Sequence, residues 1–269
     1  MVLFPNCKIN LGLNITRKRT DGFHAIETVF YPVPLKDALE IIRADEQTFT
    51  ITGLPVDGNL DDNLCTKAYN LVKKDFPDLP PVTIHLHKAI PMGAGLGGGS
   101  ADGAFMLMLL KKKFQLHLSE PQLIDYALRL GSDCPFFIVN QPSFATGRGE
   151  NLLPVKADLS AYKIVLINPG IHISTKEAFS ILTPFIPVKS IRQIIEQPIS
   201  TWKDELVNDF EKPVFLLYPQ IKEIKNQLYK AGSIYASMTG TGSTVFGIFE
   251  SSTVIDLSFP ENYLCITLL

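Results

Sequence analysis

The 269-residue sequence lacks the features that mark several classes of protein. Its longest uninterrupted apolar run, residues 104–110, is far too short to span a bilayer. The amino terminus, MVLFPNCKIN, has no charged region ahead of its apolar residues, as a secretory signal would. The formal net charge is only −2, which offers no basic surface for nucleic acid. We therefore expect a cytoplasmic protein that binds neither a membrane nor nucleic acid.

Cysteine is also scarce. The four cysteines form no CxxC pair and show no metal-ligand spacing with the five histidines, so we expect reduced thiols and no metal site of that kind. Charged residues make up 19% of the chain and apolar residues 46%, which is typical of a globular protein with an ample core. The length fits one large domain or two ordinary ones, and we expect two, over residues 1–153 and 154–269.

The pattern of apolar residues predicts an α+β fold of two lobes. In the first lobe, short connections favour antiparallel pairing of the early strands, and Ser119 with Gln122 predicts a capping box at a helix start. The predicted strands are 2–15, 25–33, 39–43, 48–52, 82–87, 136–139, 162–167, 234–238, 244–249 and 263–268. The predicted helices begin near residues 64, 100, 119 and 221, and several shorter ones lie between 174 and 213.

The chain is organised around a glycine-rich stretch, KAIPMGAGLGGGSADGAF, that starts at Lys88. Between Gly93 and Gly99, every residue except Leu96 is Gly or Ala, so the backbone can take positive φ angles and come close to a ligand. From Ser100 onward the apolar residues follow helical spacing up to the basic run 111–113, which suits a helix C-terminus. A glycine loop that opens into a helix favours a bound anion, typically a phosphate.

Three nucleotide-binding motifs compete for this loop. Gly93, Gly95 and Gly98 match GxGxxG, but four residues separate the preceding strand from the loop and no acidic residue follows at the required distance. The Walker pattern fails because Gly99 stands where the phosphate-binding lysine would precede Ser100. A protein kinase would need downstream HRD and DFG residues, which do not occur.

The segment PMGAGLGGGSADGA resembles the phosphate-binding motif of the GHMP kinases, the superfamily of galactokinase, homoserine kinase, mevalonate kinase and phosphomevalonate kinase. KINLGLNITRKRTDGFHAIETVF and MTGTGSTVFGIF resemble the first and third motifs of that superfamily, in the right order. Together with LGSDCPFF, these motifs resemble most closely the branch whose substrate is an alcohol linked to cytidine diphosphate, in isoprenoid precursor synthesis. The resemblance implies ATP as co-substrate, with Mg²⁺.

Two charged residues are the predicted catalytic groups. From the residues alone, Asp133 is more often a turn or capping residue, and Lys8 in an apolar strand is costly to bury without a partner. The resemblance implies that Asp133 accepts the proton of the substrate hydroxyl, and Lys8 is its natural partner. By the same resemblance, Ser100 faces a phosphate or its magnesium, although it could simply cap the helix.

The resemblance also assigns the binding residues. Phe23 and His24 can stack on and hydrogen-bond to a pyrimidine, as a cytidine pocket requires. The predicted ATP-binding residues are Asn63, Lys88, Pro91, Met92, Gly93, Ala94, Gly95, Leu96, Gly97, Gly98, Gly99, Ser100 and Ala101, and the predicted substrate-binding residues are Asn10, Phe23, His24, Thr175, Phe179 and Thr239. The alternatives are a GHMP kinase for another small alcohol, such as homoserine or mevalonate, and a nucleotide-binding protein that has lost catalysis.

Overall fold

The computed structural model describes residues 1–56 and 58–268, without the side chain of Lys176. It confirms the α+β class. The strands are β1 (Val2–Leu3), β2 (Asn6–Lys18), β3 (His24–Lys36), β4 (Ala38–Arg43), β5 (Thr48–Gly53), β6 (Val82–Lys88), β7 (Ser143–Gly147), β8 (Asn151–Pro154), β9 (Tyr162–Asn168), β10 (Tyr235–Met238), β11 (Val245–Glu250) and β12 (Leu264–Leu268). The α-helices are α1 (Leu64–Asp75), α2 (Gly98–Phe114), α3 (Glu120–Leu130), α4 (Cys134–Val139), α5 (Thr175–Ser180), α6 (Ile191–Ile195), α7 (Trp202–Glu205), α8 (Glu211–Leu217) and α9 (Pro219–Lys230).

The chain forms two compact units that do not follow its order. Unit 1 contains residues 1–8, 32–92 and 97–141, and unit 2 contains residues 9–31, 93–96 and 142–269. Strands β2 and β3 each begin in one unit and end in the other, and together with β7 and β8 they form a sheet of order β2-β3-β7-β8. The two-domain boundary at residue 153 stays a prediction.

Unit 1 is built on a sheet of order β1-β4-β6-β5. Strand β4 is antiparallel to both β1 and β6, whereas β5 is parallel to β6. The expectation of antiparallel pairing is therefore wrong for β5. The reason is that helix α1 connects β5 to β6, and a crossover of this kind returns the chain in the same direction.

Helix α2 is the central helix of unit 1. It packs against α1, α3 and α4, so that most of its residues from Gly98 to Leu110 are buried instead of only one face. It begins at Gly98, two residues earlier than the sequence predicts. Its N-cap is Gly97, which makes no side-chain capping bond, and Ser100 lies inside the first turn. The interpretation of Ser100 as the helix cap is therefore wrong, because three glycines already provide the helix start.

Residues 136–139 correct a third expectation, because they form part of helix α4 and not a strand. A short run of apolar residues fits a buried strand and a buried helix equally well. Here Pro135 lies in the first turn, a position that proline favours, and Asn140 ends the helix with a φ of 49°. Asp133 lies in a turn, as predicted, but this turn leads into a helix and not into a strand.

Unit 2 contains an antiparallel sheet of order β10-β11-β9-β12, and helix α9 packs against β10 and β11. Its buried core combines strand residues such as Val165 and Val245 with Ile221, Ile224 and Leu228 of α9. The segment 239–244 connects β10 to β11, as the sequence predicts. Among the described residues, no helix is both long enough and apolar enough to cross a bilayer.

Candidate active site

The glycine loop takes the backbone conformation that its composition favours. Gly93, Gly95 and Gly97 have φ angles of 64°, 78° and 71°, in the left-handed region that side chains disfavour. A Cβ atom at Gly95 would lie only 2.0 Å from the carbonyl oxygen of Thr239, so any side chain there would displace the backbone. The loop is therefore formed by glycine for both conformational and steric reasons.

In unit 2, Asn10 and Thr239 hold the segment that contains Gly95. The Thr239 hydroxyl lies 3.1 Å from both the Gly95 carbonyl oxygen and Asn10 Oδ1, and the amide of Gly240 donates to Asn10 Oδ1 at 3.0 Å. Asn10 and Thr239 are 1% and 0% exposed, so in this conformation neither side chain is open to a ligand. The structure thus brings two predicted substrate-binding residues together, but as supports of the loop.

In unit 1, Gly97, the residue that precedes helix α2, lies against Lys8. A Cβ atom at Gly97 would lie 3.1 Å from Lys8 Cε and 3.0 Å from the ring of Phe137, which is a tight fit, and the φ of 71° disfavours a side chain as well. The amide of Ala101 donates to the Gly97 carbonyl at 2.9 Å, which starts the α2 hydrogen-bond ladder. The amides of the first turn ahead of Ala101 have no partner within the helix and are the natural donors to an anion.

Lys8 and Asp133 form the predicted pair. Lys8 Nζ lies 3.7 Å from Asp133 Oδ2, with the Lys8 side chain 4% exposed and the Asp133 side chain 34% exposed. Burial is the main influence on Lys8 and lowers its pKa below the ordinary 10.5, although Asp133 counteracts part of this effect. The arrangement is a buried cation beside a carboxylate that solvent, and hence a substrate hydroxyl, can reach.

Cys134 connects Ser100 to this pair, because its thiol forms a hydrogen bond with Ser100. Burial raises the pKa of the Cys134 thiol to about 12, against the lowering effect of a hydrogen bond with Ser100. Cys134 directly follows Asp133 in the chain, so the Ser100 hydroxyl and the Asp133 carboxylate belong to one cluster in unit 1. Among residues 1–56 and 58–268, no group of three or more His, Cys, Asp or Glu side chains is arranged to hold a metal ion.

The predicted aromatic residues lie in unit 2. The His24 ring stacks on Phe179, with ring centroids 4.9 Å apart and planes at 20°. Phe179 in turn packs edge-on against the buried Phe210. Phe23 is 54% exposed, and the Arg148 guanidinium lies 5.0 Å from its ring centroid. His24 and Phe179 are therefore fixed by packing, whereas Phe23 has a free face.

Three other predicted residues have different environments. Asn63 caps helix α1 by accepting the Cys65 amide at 2.9 Å, and Thr175 is exposed at the first residue of α5. The Lys88 side chain is fully buried and bonded to Asp37 and Asp102. This pairing is incompatible with a contact between that side chain and the adenine or ribose, so only the backbone of Lys88 is left for the predicted role.

Sequence reasoning did not single out Asp37, Asp102, Asn208 or Glu211. The first two bind Lys88. Asn208 Nδ2 donates to the carbonyls of Met238 and Gly240 at 2.7 and 2.9 Å. Glu211 Oε1 accepts the Met238 amide at 2.8 Å. All four are buried in the fold. Asp102 had a local signal, because it lies within the glycine-rich motif at an acidic position among apolar helix residues, whereas the other three occupy unremarkable positions in the sequence.

A glycine loop that opens into a helix, with a lysine–aspartate pair beside Gly97, has the features that phosphoryl transfer requires: amides for an anion, a cation and a carboxylate. The family described as GHMP kinases N terminal domain matches residues 63–142, and GHMP kinases C terminal matches residues 190–257. The chain belongs to the GHMP kinases.

The relative from Bacteroides fragilis with that name is 54% identical over 254 residues, which cover 93% of this chain and 92% of the relative. The one from Cytophaga hutchinsonii is 52% identical over 263 residues, covering 97% and 96%. A crystal structure of 4-(cytidine 5'-diphospho)-2C-methyl-D-erythritol kinase superimposes with a TM-score of 0.80 at 31% identity, covering 92% of this chain and 90% of that one. Within the GHMP kinases, the chain belongs to the 4-diphosphocytidyl-2-C-methyl-D-erythritol kinases. The predicted superfamily and enzyme class, an ATP-dependent small-molecule kinase, are confirmed.

Proposed function

We propose that this chain transfers the γ-phosphoryl group of ATP to the 2-hydroxyl group of 4-diphosphocytidyl-2-C-methyl-D-erythritol, a step in isoprenoid precursor synthesis. The observation that carries this proposal is the convergence of three features in unit 1. Lys8 lies against Gly97 at the start of α2, and its ammonium lies 3.7 Å from the partly exposed Asp133 carboxylate. Amide groups that can bind a phosphate, a cation and a base are therefore available in one place.

The glycine loop is the assigned ATP site. Its glycines adopt positive φ angles and carry no side chains to cover the backbone, so that phosphate oxygens can approach the amides of the first α2 turn. Ser100, in that turn, is the hydroxyl that we assign to the phosphates or their Mg²⁺. Hydroxyl and phosphate oxygens are ligands that suit Mg²⁺, which proteins commonly bind through the nucleotide and few side chains. Bound in this way, Mg²⁺ neutralises phosphate charge.

Asp133 is the assigned general base. Its carboxylate takes the proton of the substrate hydroxyl as that oxygen forms a bond to the γ-phosphorus, the bond to the β-phosphate oxygen breaks, and ADP leaves. Lys8 holds this carboxylate in place and stabilises negative charge on the transferring group. Because Lys8 is only 4% exposed, its charge acts with little screening by water.

The cytidine group is assigned to the aromatic residues of unit 2. A pyrimidine needs a flat apolar face and hydrogen-bonding groups at its edge. Phe23, which is 54% exposed, offers the face, and His24 offers ring nitrogens whose position is fixed by stacking on Phe179. A homoserine or mevalonate kinase would have no use for this combination.

An assay of ADP release tests the proposal. The protein is given ATP and Mg²⁺ with the cytidine-linked alcohol, with homoserine or with mevalonate, and the product is identified by mass spectrometry. We expect ADP release and a monophosphorylated product only with the cytidine-linked alcohol. Turnover with a simple alcohol instead would replace the substrate assignment, whereas ATP binding without turnover on any of them would support a protein that has lost catalysis.

A further inference from the structure

A second lysine of unit 1 lies in a cluster that the proposed chemistry does not use. Lys88 Nζ lies 2.5 Å from Asp37 Oδ2 and 2.7 Å from Asp102 Oδ2, and all three side chains are 0–3% exposed. Cys65 of α1 also faces the cluster and is fully buried. Because three charged groups are buried together, their hydrogen bonds are short, directional and unscreened by water.

The cluster joins the two ends of the glycine loop. Lys88 is the last residue of β6, ahead of the loop, whereas Asp102 lies in the second turn of α2, after it. Asp37 also accepts the amides of Ala89 and Ile90 through Oδ1, at 2.6 and 2.9 Å, which fixes the chain just before the loop. One ammonium group therefore connects the segment that enters the loop to the helix that leaves it.

The packing beside the cluster shows how closely these two ends approach. A Cβ atom at Gly98 would lie 2.8 Å from Ile90 Cγ2 and 3.4 Å from Lys88 Nζ. The first residue of α2 thus rests directly on the side chains of the segment that enters the loop. A shift of Lys88 would move the start of α2, whose amides are assigned to donate hydrogen bonds to the phosphates.

The cluster is not arranged for stability alone. Two carboxylates face one ammonium, and Asp102 Oδ1 is buried without a hydrogen-bond partner in the described part of the chain. Burying charged groups carries a desolvation cost, and apolar residues of similar volume often stabilise a core equally well or better. What apolar residues cannot provide is a directional bond that fixes the distance between two backbone segments.

We propose that Asp37, Lys88 and Asp102 are positioning residues that hold the glycine loop in the shape that binds ATP. This inference rests on the proposed function, because it concerns the same nucleotide site. The three side chains act through the backbone of the loop and touch no substrate themselves. Loss of the bond between Lys88 and Asp102 frees α2 from the segment that precedes the loop. Small displacements of the amides that bind the phosphates then weaken binding and catalysis strongly.

The test compares two variants that remove the same charge. Asp102→Asn keeps an oxygen that accepts the bond from Lys88, whereas Asp102→Ala removes that bond, and both leave Lys88 paired with Asp37. Leu110→Ala is the control for a loss of stability, because Leu110 is fully buried in α2 but lies roughly 12 Å further along the helix. Each variant is assayed well below its melting temperature.

The readouts are the dissociation constant of a non-hydrolysable ATP analogue, measured by calorimetry, and the KM values for ATP and for the cytidine-linked alcohol. We expect Asp102→Ala to weaken analogue binding and raise the KM for ATP by about tenfold or more, with less than about a twofold change in the KM for the alcohol. Asp102→Asn should stay within about threefold of the wild type, and Leu110→Ala should melt earlier but bind normally.

Three results would overturn the inference: unchanged analogue binding by Asp102→Ala, equal weakening by Asp102→Asn, or equal weakening by Leu110→Ala. The binding series does not depend on turnover. Normal analogue binding by the wild type without phosphorylation of the alcohol would reject the proposed reaction and still leave the series able to test the cluster. No binding by the wild type would overturn both.

Discussion

Unit 1 contains two groups in which a buried lysine meets aspartate, and they differ in almost every physical respect. Lys8 has one aspartate partner, Asp133, at 3.7 Å, and that carboxylate is 34% exposed. Lys88 has two partners at 2.5 and 2.7 Å, and the whole group is closed to solvent. The Lys8 pair is loose and accessible, as a site for proton transfer must be, whereas the Lys88 cluster is tight and sealed.

The same difference moves the pKa values of the two lysines in opposite directions. Burial lowers the pKa of Lys8, and the opposing effects of Asp133 and Cys7 are not enough to restore it. Burial alone would lower the pKa of Lys88 as well, but Asp102 and Asp37 outweigh it and raise that pKa above 10.5. For two lysines that are both buried, the number and distance of the neighbouring carboxylates therefore decide whether the pKa is raised or lowered.

The largest effect is expected from Asp133→Asn, which removes the base but keeps the shape of the side chain. We expect kcat to fall roughly 10²- to 10⁴-fold, since that is the usual contribution of a general base. Binding of a non-hydrolysable ATP analogue should change by less than about threefold, because the loop amides are intact. Asp78→Asn, at an exposed position of the same unit, is the matched control. Turnover close to that of the wild type would remove Asp133 from the mechanism.

A smaller effect is the difference in stability that we expect between variants of Lys88 and of Lys8. Lys88→Met leaves two carboxylates buried without their cation, which we expect to cost about 3–5 kcal/mol in the free energy of unfolding. Lys8→Met removes an ammonium that is already costly to bury, and its partner carboxylate can be solvated, so we expect a loss below about 1 kcal/mol.

Urea denaturation monitored by circular dichroism measures both values. Lys8→Met should at the same time lose most of its kcat, because the transferring group loses a nearby cation. Equal destabilisation by the two substitutions would show that the sealed cluster and the open pair play similar structural roles, which contradicts the distinction drawn between them.

The smallest expected effect is a decline of kcat/KM at alkaline pH. Because the pKa of Lys8 is lowered, its proton is lost at a lower pH than that of a free lysine, and kcat/KM should fall about tenfold per pH unit above that pKa. The corresponding contribution to stability has the opposite sign: it is present above the ordinary value of 10.5 and is lost as the pH falls through the lowered pKa.

Lys8→Arg tests this assignment, because a guanidinium stays charged throughout the range. We expect a slower enzyme whose activity no longer declines on this alkaline limb. If the decline persists in Lys8→Arg at the same pH, it belongs to another group and the lowered pKa of Lys8 has no part in it.

Local patterns were sufficient where the sequence carries its own geometric constraint. The glycine loop takes the positive φ angles that its composition favours, and Ser119 with Gln122 forms the predicted capping box. Most strands lie within a few residues of their predicted positions, because alternation of apolar residues reports burial directly. The pattern failed at residues 136–139, where an all-apolar run has no period to separate a helix from a strand.

What the sequence by itself determined was the loop, the helix that it opens into, the family motifs and the presence of Lys8 and Asp133. What only the tertiary structure decided was which charges meet. Lys88 was predicted to contact the nucleotide, but the fold buries it between Asp37 and Asp102, which lie far from each other along the chain. Burial and distance set the strength of a charge pair, and neither is a property of local sequence.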